Sequence, residues 1–112
     1  MKQKVIAAAS RKILFLPHAI KQMSRPDRMI GTDEVRETVF SGEIIEEYPD
    51  DQRGESCLIT HSTRCRTIHV VCAPKIEYLA VITAYLPSPD LWSPDFKVRK
   101  QDGMPSLQRE ND

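Results

Sequence analysis

Three histidines, His18, His61 and His69, are the side chains of this chain best able to give and take a proton near neutral pH. Cleaving a phosphodiester without a metal requires that ability, together with cations to hold the phosphate. Arg25 and Arg28 follow His18 closely, and Lys97, Arg99 and Lys100 follow the aromatic pair Trp92 and Phe96. An arginine grips a phosphate through two parallel N–H bonds, and an aromatic ring stacks a base. Each residue also has an ordinary reading. The cations suit a solvated surface, Trp92 the edge of a core, His18 a helix start, His61 a turn and His69 a strand.

Other chemistries find less support. His61, Cys65, His69 and Cys72 invite a zinc reading, but zinc sites pair ligands two to four residues apart, and His69 and Cys72 would face opposite ways on one strand. The acidic residues Glu43, Glu46, Glu47, Asp50, Asp51 and Glu55 lack the ligand spacing of a calcium loop and read as a solvated edge. There is no GxxxxGK[ST] loop, GxGxxG fingerprint or HExxH helix, and nothing local supports a nucleophilic triad. No metal or cofactor is expected.

The elements that must position these groups belong to a small chain. Its 112 residues and 12.8 kDa make one domain's worth, with 40% hydrophobic and 29% charged residues. Sixteen Lys+Arg balance sixteen Asp+Glu, so a strongly basic nucleic-acid wrapper is excluded while a local basic patch is not. No apolar run approaches the ~20 residues of a membrane span. The apolar run Val5–Ala9 is interrupted by Ser10, Arg11 and Lys12, too soon for a secretory h-region. With no secretion signal, the three cysteines Cys57, Cys65 and Cys72 are expected to be reduced thiols in a cytoplasmic protein. At most one internal disulfide could form, and none is expected.

Residues 1–12 read as a leader, 13–100 as a single domain and 101–112 as a disordered tail. Ile13–Leu16 is apolar enough for a short strand. Pro17 suits the first turn of a helix carrying Ala19 and Met23 on one face, and Pro26 ends it. Thr32 is placed as the N-cap of a second helix with Val35 and Val39 buried, and Gly42 as its C-cap. Four extended segments follow at Ile44–Tyr48, Cys57–Thr60, Thr67–Ala73 and Tyr78–Leu86. The expected fold is α+β, two N-terminal helices on a four-stranded antiparallel sheet. Alternation places Ile68, Val70 and Cys72 on one face and Thr67, His69 and Val71 on the other. In the last strand it sets Ala80, Ile82, Ala84 and Leu86 against Leu79, Val81, Thr83 and Tyr85. His69, Thr83 and Tyr85 are expected to converge on a mixed face.

Several segments in order carry a resemblance: Pro17–Met23, Arg25–Ile30, Asp33–Val35, Ser41–Asp50, Ser56–Ile59, Ile68–Val71 and Ile82–Trp92. The most telling pieces are His18-Ala19, Gly42-Glu43-Ile44-Ile45, His69-Val70-Val71 and the Thr83/Tyr85/Pro87/Trp92 ending. Together, from about Leu16 to Arg99, they resemble the family catalogued as domain of unknown function 4258. That family is similar to the RelE/barnase/EndoU group of compact ribonucleases, often toxins paired with a zinc-finger or helix-turn-helix antitoxin. The resemblance implies His18, Arg28, His69, Thr83, Tyr85 and Arg99 as functional positions. The loop Ser24–Arg28 is longer than in many relatives, and a net charge of zero is low for an RNA-cleaving toxin.

The expected activity is therefore a metal-independent endoribonuclease, the toxin of a toxin–antitoxin pair. His69 would be general base or acid, with His18 or Tyr85 as the complementary group. Arg28 and Arg99 would stabilise the phosphate and Thr83 would orient it, with Lys97 and Trp92 binding RNA. Its partners would be RNA, with messenger RNA as a candidate substrate, and a cognate antitoxin. The alternative is a non-catalytic protein-interaction module of the same fold, which the acidic 43–55 segment favours.

Overall fold

Helices cover one face of a twisted sheet, and the other face carries a C-terminal segment beside an open cleft. The computed structural model describes residues 1–100; the tail expected at 101–112 lies outside the described residues. The chain runs α1 (Lys2–Arg11), β1 (Ile13–Phe15), α2 (Pro17–Met23), α3 (Thr32–Ser41), β2 (Glu43–Tyr48), β3 (Ser56–Ser62), β4 (Thr67–Pro74) and β5 (Leu79–Tyr85). The sheet order is β1-β5-β4-β3-β2. β2 to β5 pair antiparallel, while β1 runs parallel to β5 with Leu14 opposite Ala80. No helix among the described residues is long and apolar enough to cross a membrane.

The class is α+β as expected, but the sheet has five strands and three helices accompany it. The additional strand is β1, whose three residues pair with a strand more than sixty positions away in the chain. Nothing local announces such a parallel partner. The additional helix lies in the stretch expected as a leader. Val5, Ala8 and Ala9 recur at helical spacing and are buried, so α1 contributes to the core.

The helix-side core joins these residues to Ala19 and Met23 of α2, Val35 and Val39 of α3, and Cys57, Ile59, Val70, Cys72, Leu79 and Val81 of the sheet. Pro17 opens α2, as its fixed φ and missing N–H allow. The N-cap of α3 is Gly31, not Thr32, and Glu34 Oε1 accepts the Gly31 N–H at 3.0 Å. Arg66, from the β3–β4 turn, ties down the loop before α3. It donates to the carbonyls of Arg28 at 2.6 Å and Met29 at 3.2 Å while pairing with Glu34.

Two β-bulges set which side chains face away from the helices. Val71 pairs with Thr83 and Cys72 with Val81, which leaves Ile82 as an extra residue in β5. Ile44 pairs with Ile59 and Glu46 with Leu58, which leaves Ile45 extra in β2. Each insertion reverses the alternation that follows it. Leu79 and Val81 therefore face the helices with Ala84, while Ala80 and Ile82 join Tyr85 on the outer face. The uninterrupted alternation expected for β5 is corrected by this one residue.

The passage from α3 into β2 is sterically closed around Gly42. A Cβ there would lie 2.5 Å from the Thr38 carbonyl oxygen, 2.6 Å from that of Thr60 and 2.7 Å from an Ile59 methyl. Backbone on both sides leaves little room to yield. Gly42→Ala is expected to destabilise the fold by about 1–3 kcal/mol, read as a lower urea midpoint at unchanged m-value.

Candidate functional site

The outer face is built around a buried imidazole. His69 on β4 is 0% exposed and sits opposite Tyr85 in the register. Its Nε2 lies 2.9 Å from the Phe96 carbonyl oxygen and its Nδ1 lies 3.3 Å from the Tyr85 hydroxyl. A carbonyl only accepts, so Nε2 carries the proton and Nδ1 accepts from Tyr85. Trp92 meets the ring edge-on at 4.6 Å between centroids, and Tyr85 does so at 5.3 Å. Burial pushes the His69 pKa down to about 4, against the opposing pull of the Phe96 carbonyl and Glu46. At neutral pH the ring is neutral, enclosed and engaged at both nitrogens.

That imidazole holds down the segment after β5. Trp92 is 2% exposed and pairs across a short bridge with Arg99. Ser93 N–H donates to the Val98 carbonyl at 2.8 Å and Lys100 N–H to that of Leu91 at 3.0 Å, closing a compact turn. Arg99 then reaches back to β2. Its Nε donates to Glu46 Oε2 at 2.8 Å and its Nη2 to Oε1 at 3.0 Å. The guanidinium lies 4.6 Å above the Trp92 ring, and Tyr48 donates its hydroxyl to the same carboxylate. Burial opposes the Arg99 charge, but the bonds to Glu46 outweigh it and raise the pKa. Burial and the neighbouring carboxylate also raise the Tyr48 phenol, which stays protonated.

Beside this network opens a cleft of about 590 Å³, lined by His18, Tyr48, Pro49, Asp50, Asp51, Arg53, Val71, Ile82, Thr83 and Arg99. His18 enters from the exposed start of α2, just after β1. Thr83 is delivered by the β5 bulge. Arg53 is steered by Asp51, which accepts from its Nε at 3.1 Å and Nη2 at 3.0 Å. Hydrogen bonds from Arg53, and then from Ser56, hold the Asp51 carboxyl well below the usual range against a smaller effect of burial. Two acidic and two guanidinium side chains thus face the same space as one imidazole.

The structure sorts the sequence-derived positions into three places. His18, Thr83 and Arg99 line the cleft. His69, Tyr85 and Trp92 form the buried cluster beneath the C-terminal segment, so Trp92 offers no open face to a base and His69 none to solvent. Arg28 and Lys97 lie outside the cleft lining. Arg28 Nη1 reaches the Ala84 carbonyl at 3.5 Å, and Lys97 pairs with Glu43 at 2.9 Å. Sequence reasoning missed Tyr48 and Arg53, and it read Glu46 and Asp51 as solvated charge. The available signal was the Pro49-Asp50-Asp51 turn, which brings the end of β2 to the cleft. Among the described residues no group of three or more His, Cys, Asp or Glu side chains could hold a metal ion. His61 pairs instead with Glu37 at 3.2 Å, and Cys65 is exposed on the β3–β4 turn.

The depressed His69 pKa ties stability to pH. Unfolded, the ring titrates near 6.5, so between pH ~6.5 and ~4 the unfolded chain binds more protons than the folded one. The contribution is complete above pH ~6.5 and is lost as pH falls through that window, by roughly 3 kcal/mol in all. Asp51 and Glu34, both held low, add their own losses as pH falls from about 5 downward, which steepens the lower end of that window in wild type and variant alike. Urea midpoints of the wild type are expected to fall steadily from pH 7 to pH 4, with a much shallower fall in His69→Gln. Equal slopes would show that the ring does not titrate this way.

Residues 15–86 match the family described as Domain of unknown function (DUF4258). No curated protein and no solved structure matches the chain. The match runs from the last residue of β1 through β5, including His18, the two bulges, His69 and Thr83, and stops before Trp92 and Arg99. The chain belongs to the DUF4258 family.

Proposed function

We propose that this protein is a metal-independent endoribonuclease with a RelE/barnase-like arrangement, the toxin of a toxin–antitoxin pair acting in the cytoplasm. One observation carries the reading: an exposed imidazole, a firmly charged guanidinium and a hydroxyl share one open cleft large enough for a nucleotide. His18 takes the proton of a ribose 2′-hydroxyl as that oxygen attacks the adjacent phosphorus. Arg99 bears on the phosphate oxygens as their charge grows, with Arg53 alongside and Thr83 orienting them. The 5′-oxygen leaves and takes a proton from water at the open mouth. The products are a 2′,3′-cyclic phosphate and a 5′-hydroxyl.

His69 has a different role from the proton transfer expected of it. Enclosed and neutral, it holds the Phe96 carbonyl and Trp92, and through them the backbone that presents Arg99. Tyr85 serves the same support by donating to His69. The partners under this reading are RNA, messenger RNA foremost, and a zinc-finger or helix-turn-helix antitoxin that covers the cleft.

The balance of charge in the cleft favours a second reading, a non-catalytic module that binds a partner protein. Asp50 and Asp51 offset Arg53 and Arg99, and Glu46 already occupies two donors of Arg99. An RNA-cleaving site gains more from an excess of positive charge.

Cleavage of an end-labelled oligoribonucleotide by the purified chain separates the two. The endoribonuclease reading expects cyclic-phosphate ends, no cleavage of the all-deoxy analogue, and a loss of ~10²–10⁴ in rate for His18→Ala at unchanged Tm. Arg99→Gln is expected to cost ~10²–10³. Intact RNA at every concentration, or His18→Ala cutting at the wild-type rate, overturns it. The module reading expects intact RNA and a partner whose binding survives His18→Ala.

A further inference from the structure

The helix-side core holds two cysteines that no part of the cleft uses. Cys57 on β3 and Cys72 on β4 are directly opposite in the antiparallel register. Both are 0% exposed, both are free thiols, and their sulfurs lie 4.0 Å apart. Cross-strand neighbours have Cα atoms ~4.5–5.5 Å apart, within the ~4.4–6.8 Å that a disulfide spans. The pairing thus falls in the range a disulfide bridges, and the sulfurs have only to close from 4.0 Å to bonding distance.

We propose that Cys57 and Cys72 form an oxidation site, closed to an intramolecular disulfide by a peroxide. The sulfur of Cys57 attacks one peroxide oxygen, forming an S–O bond as the O–O bond breaks, and the departing oxygen leaves as water. The sulfur of Cys72 then attacks the Cys57 sulfenic acid. An S–S bond forms, the S–O bond breaks, and a second water leaves. Two thiols and one hydrogen peroxide become one disulfide and two waters; sulfur loses two electrons and the peroxide gains them.

The surroundings support both the order of attack and the route of entry. The hydrogen bond between the thiols lowers the Cys57 pKa, against burial, and raises that of Cys72 beyond what burial does. Lys2 and the N-terminus, both on the start of α1, add to the lowering at Cys57, while Glu47 opposes it. Peroxide reaches the pair through local opening of that turn. It has no side-chain cap and no acidic residue, and Lys2 and Lys4 stand at the positive end of its dipole. Besides the buried Val5, what holds it is Lys2 Nζ, donating to the carbonyls of Gly42 at 2.5 Å and Val39 at 3.4 Å, and the exposed Lys4–Glu55 pair.

The test uses the full chain, reduced, as wild type and as Cys65→Ser, which removes the exposed thiol. Each is exposed to hydrogen peroxide, quenched, alkylated under denaturing conditions and mapped by mass spectrometry. The expected result for Cys65→Ser is a monomer lighter by two hydrogens, with neither thiol alkylated and a Cys57–Cys72 linked peptide. Dithiothreitol reverses it, and Tm rises on oxidation by on the order of 10 °C. Val5→Ala, which loosens α1 and leaves both thiols in place, is expected to speed closure. Full alkylation of both thiols after oxidant that consumes Cys65 of the wild type overturns the proposal. Sulfinic acid without linkage, or linkage only between chains, also overturns it.

Discussion

The outer half of this molecule depends on one enclosed imidazole. Burying an unsatisfied polar side chain costs about 1–3 kcal/mol for each group left without a partner. His69 avoids that cost only if Phe96 presents its carbonyl and Tyr85 its hydroxyl. Those two partners come from β5 and from the segment beyond it, so satisfying the ring fixes the path of the chain after the sheet ends. Trp92 then fills the space against the ring edge, and Arg99 is carried to Glu46. Among the described residues, the segment after β5 has no helix or strand of its own beyond the short Trp92–Arg99 bridge. Its order derives from this polar contact inside an apolar cluster, where a low dielectric strengthens each hydrogen bond.

The bulges supply the other half of the geometry. Without the extra residue in β2, Glu46 would turn toward the helices and no carboxylate would meet Arg99. Without the extra residue in β5, Thr83 and Tyr85 would turn with it, and Tyr85 would leave His69. Both insertions act on the same face and at strands on either side of β4. They re-aim polar side chains that a regular sheet would have turned toward the helix side. The helix-side core tolerates this because its apolar positions resume after each bulge, with Ile44 and Ala84 still packed inward.

Much of this was legible in the sequence, and the exceptions have physical causes. Local signals worked where the determinant is local. Pro17 and Pro26 bracket α2, Gly42 ends α3, and the apolar alternation of β4 marks its helix-facing side. The convergence of His69 and Tyr85 on one face was accessible from alternation, whereas their direct opposition was not, because register is set by pairing that no single strand records. The position of β1 was not, because a parallel partner across most of the chain leaves no local trace. The bulges escaped for a related reason: one extra β-branched or apolar residue in an apolar strand does not alter composition or period enough to see. The depth of His69 escaped because its burial is completed by Trp92 and Phe96, far along the chain. A histidine on a mixed strand face reads as accessible until something is known to cover it.

The cleft shows how a neutral chain can present a usable positive charge. Arg99 is paired through Nε and Nη2, which fixes the plane of the guanidinium without discharging it. A flexible surface arginine loses side-chain entropy when it grips an anion; this one has already lost it to Glu46 and Trp92. The partner carboxylate lowers the long-range field that would draw an anion from a distance. At close range a planar group whose orientation is fixed can still favour the geometry in which negative charge accumulates, because its partners need not reorganise. Tyr48, kept protonated against the same carboxylate, strengthens that constraint without adding charge. A net charge of zero therefore limits how strongly this cleft would attract an anion from solution, and says much less about what a guanidinium of fixed orientation would do to one placed within it.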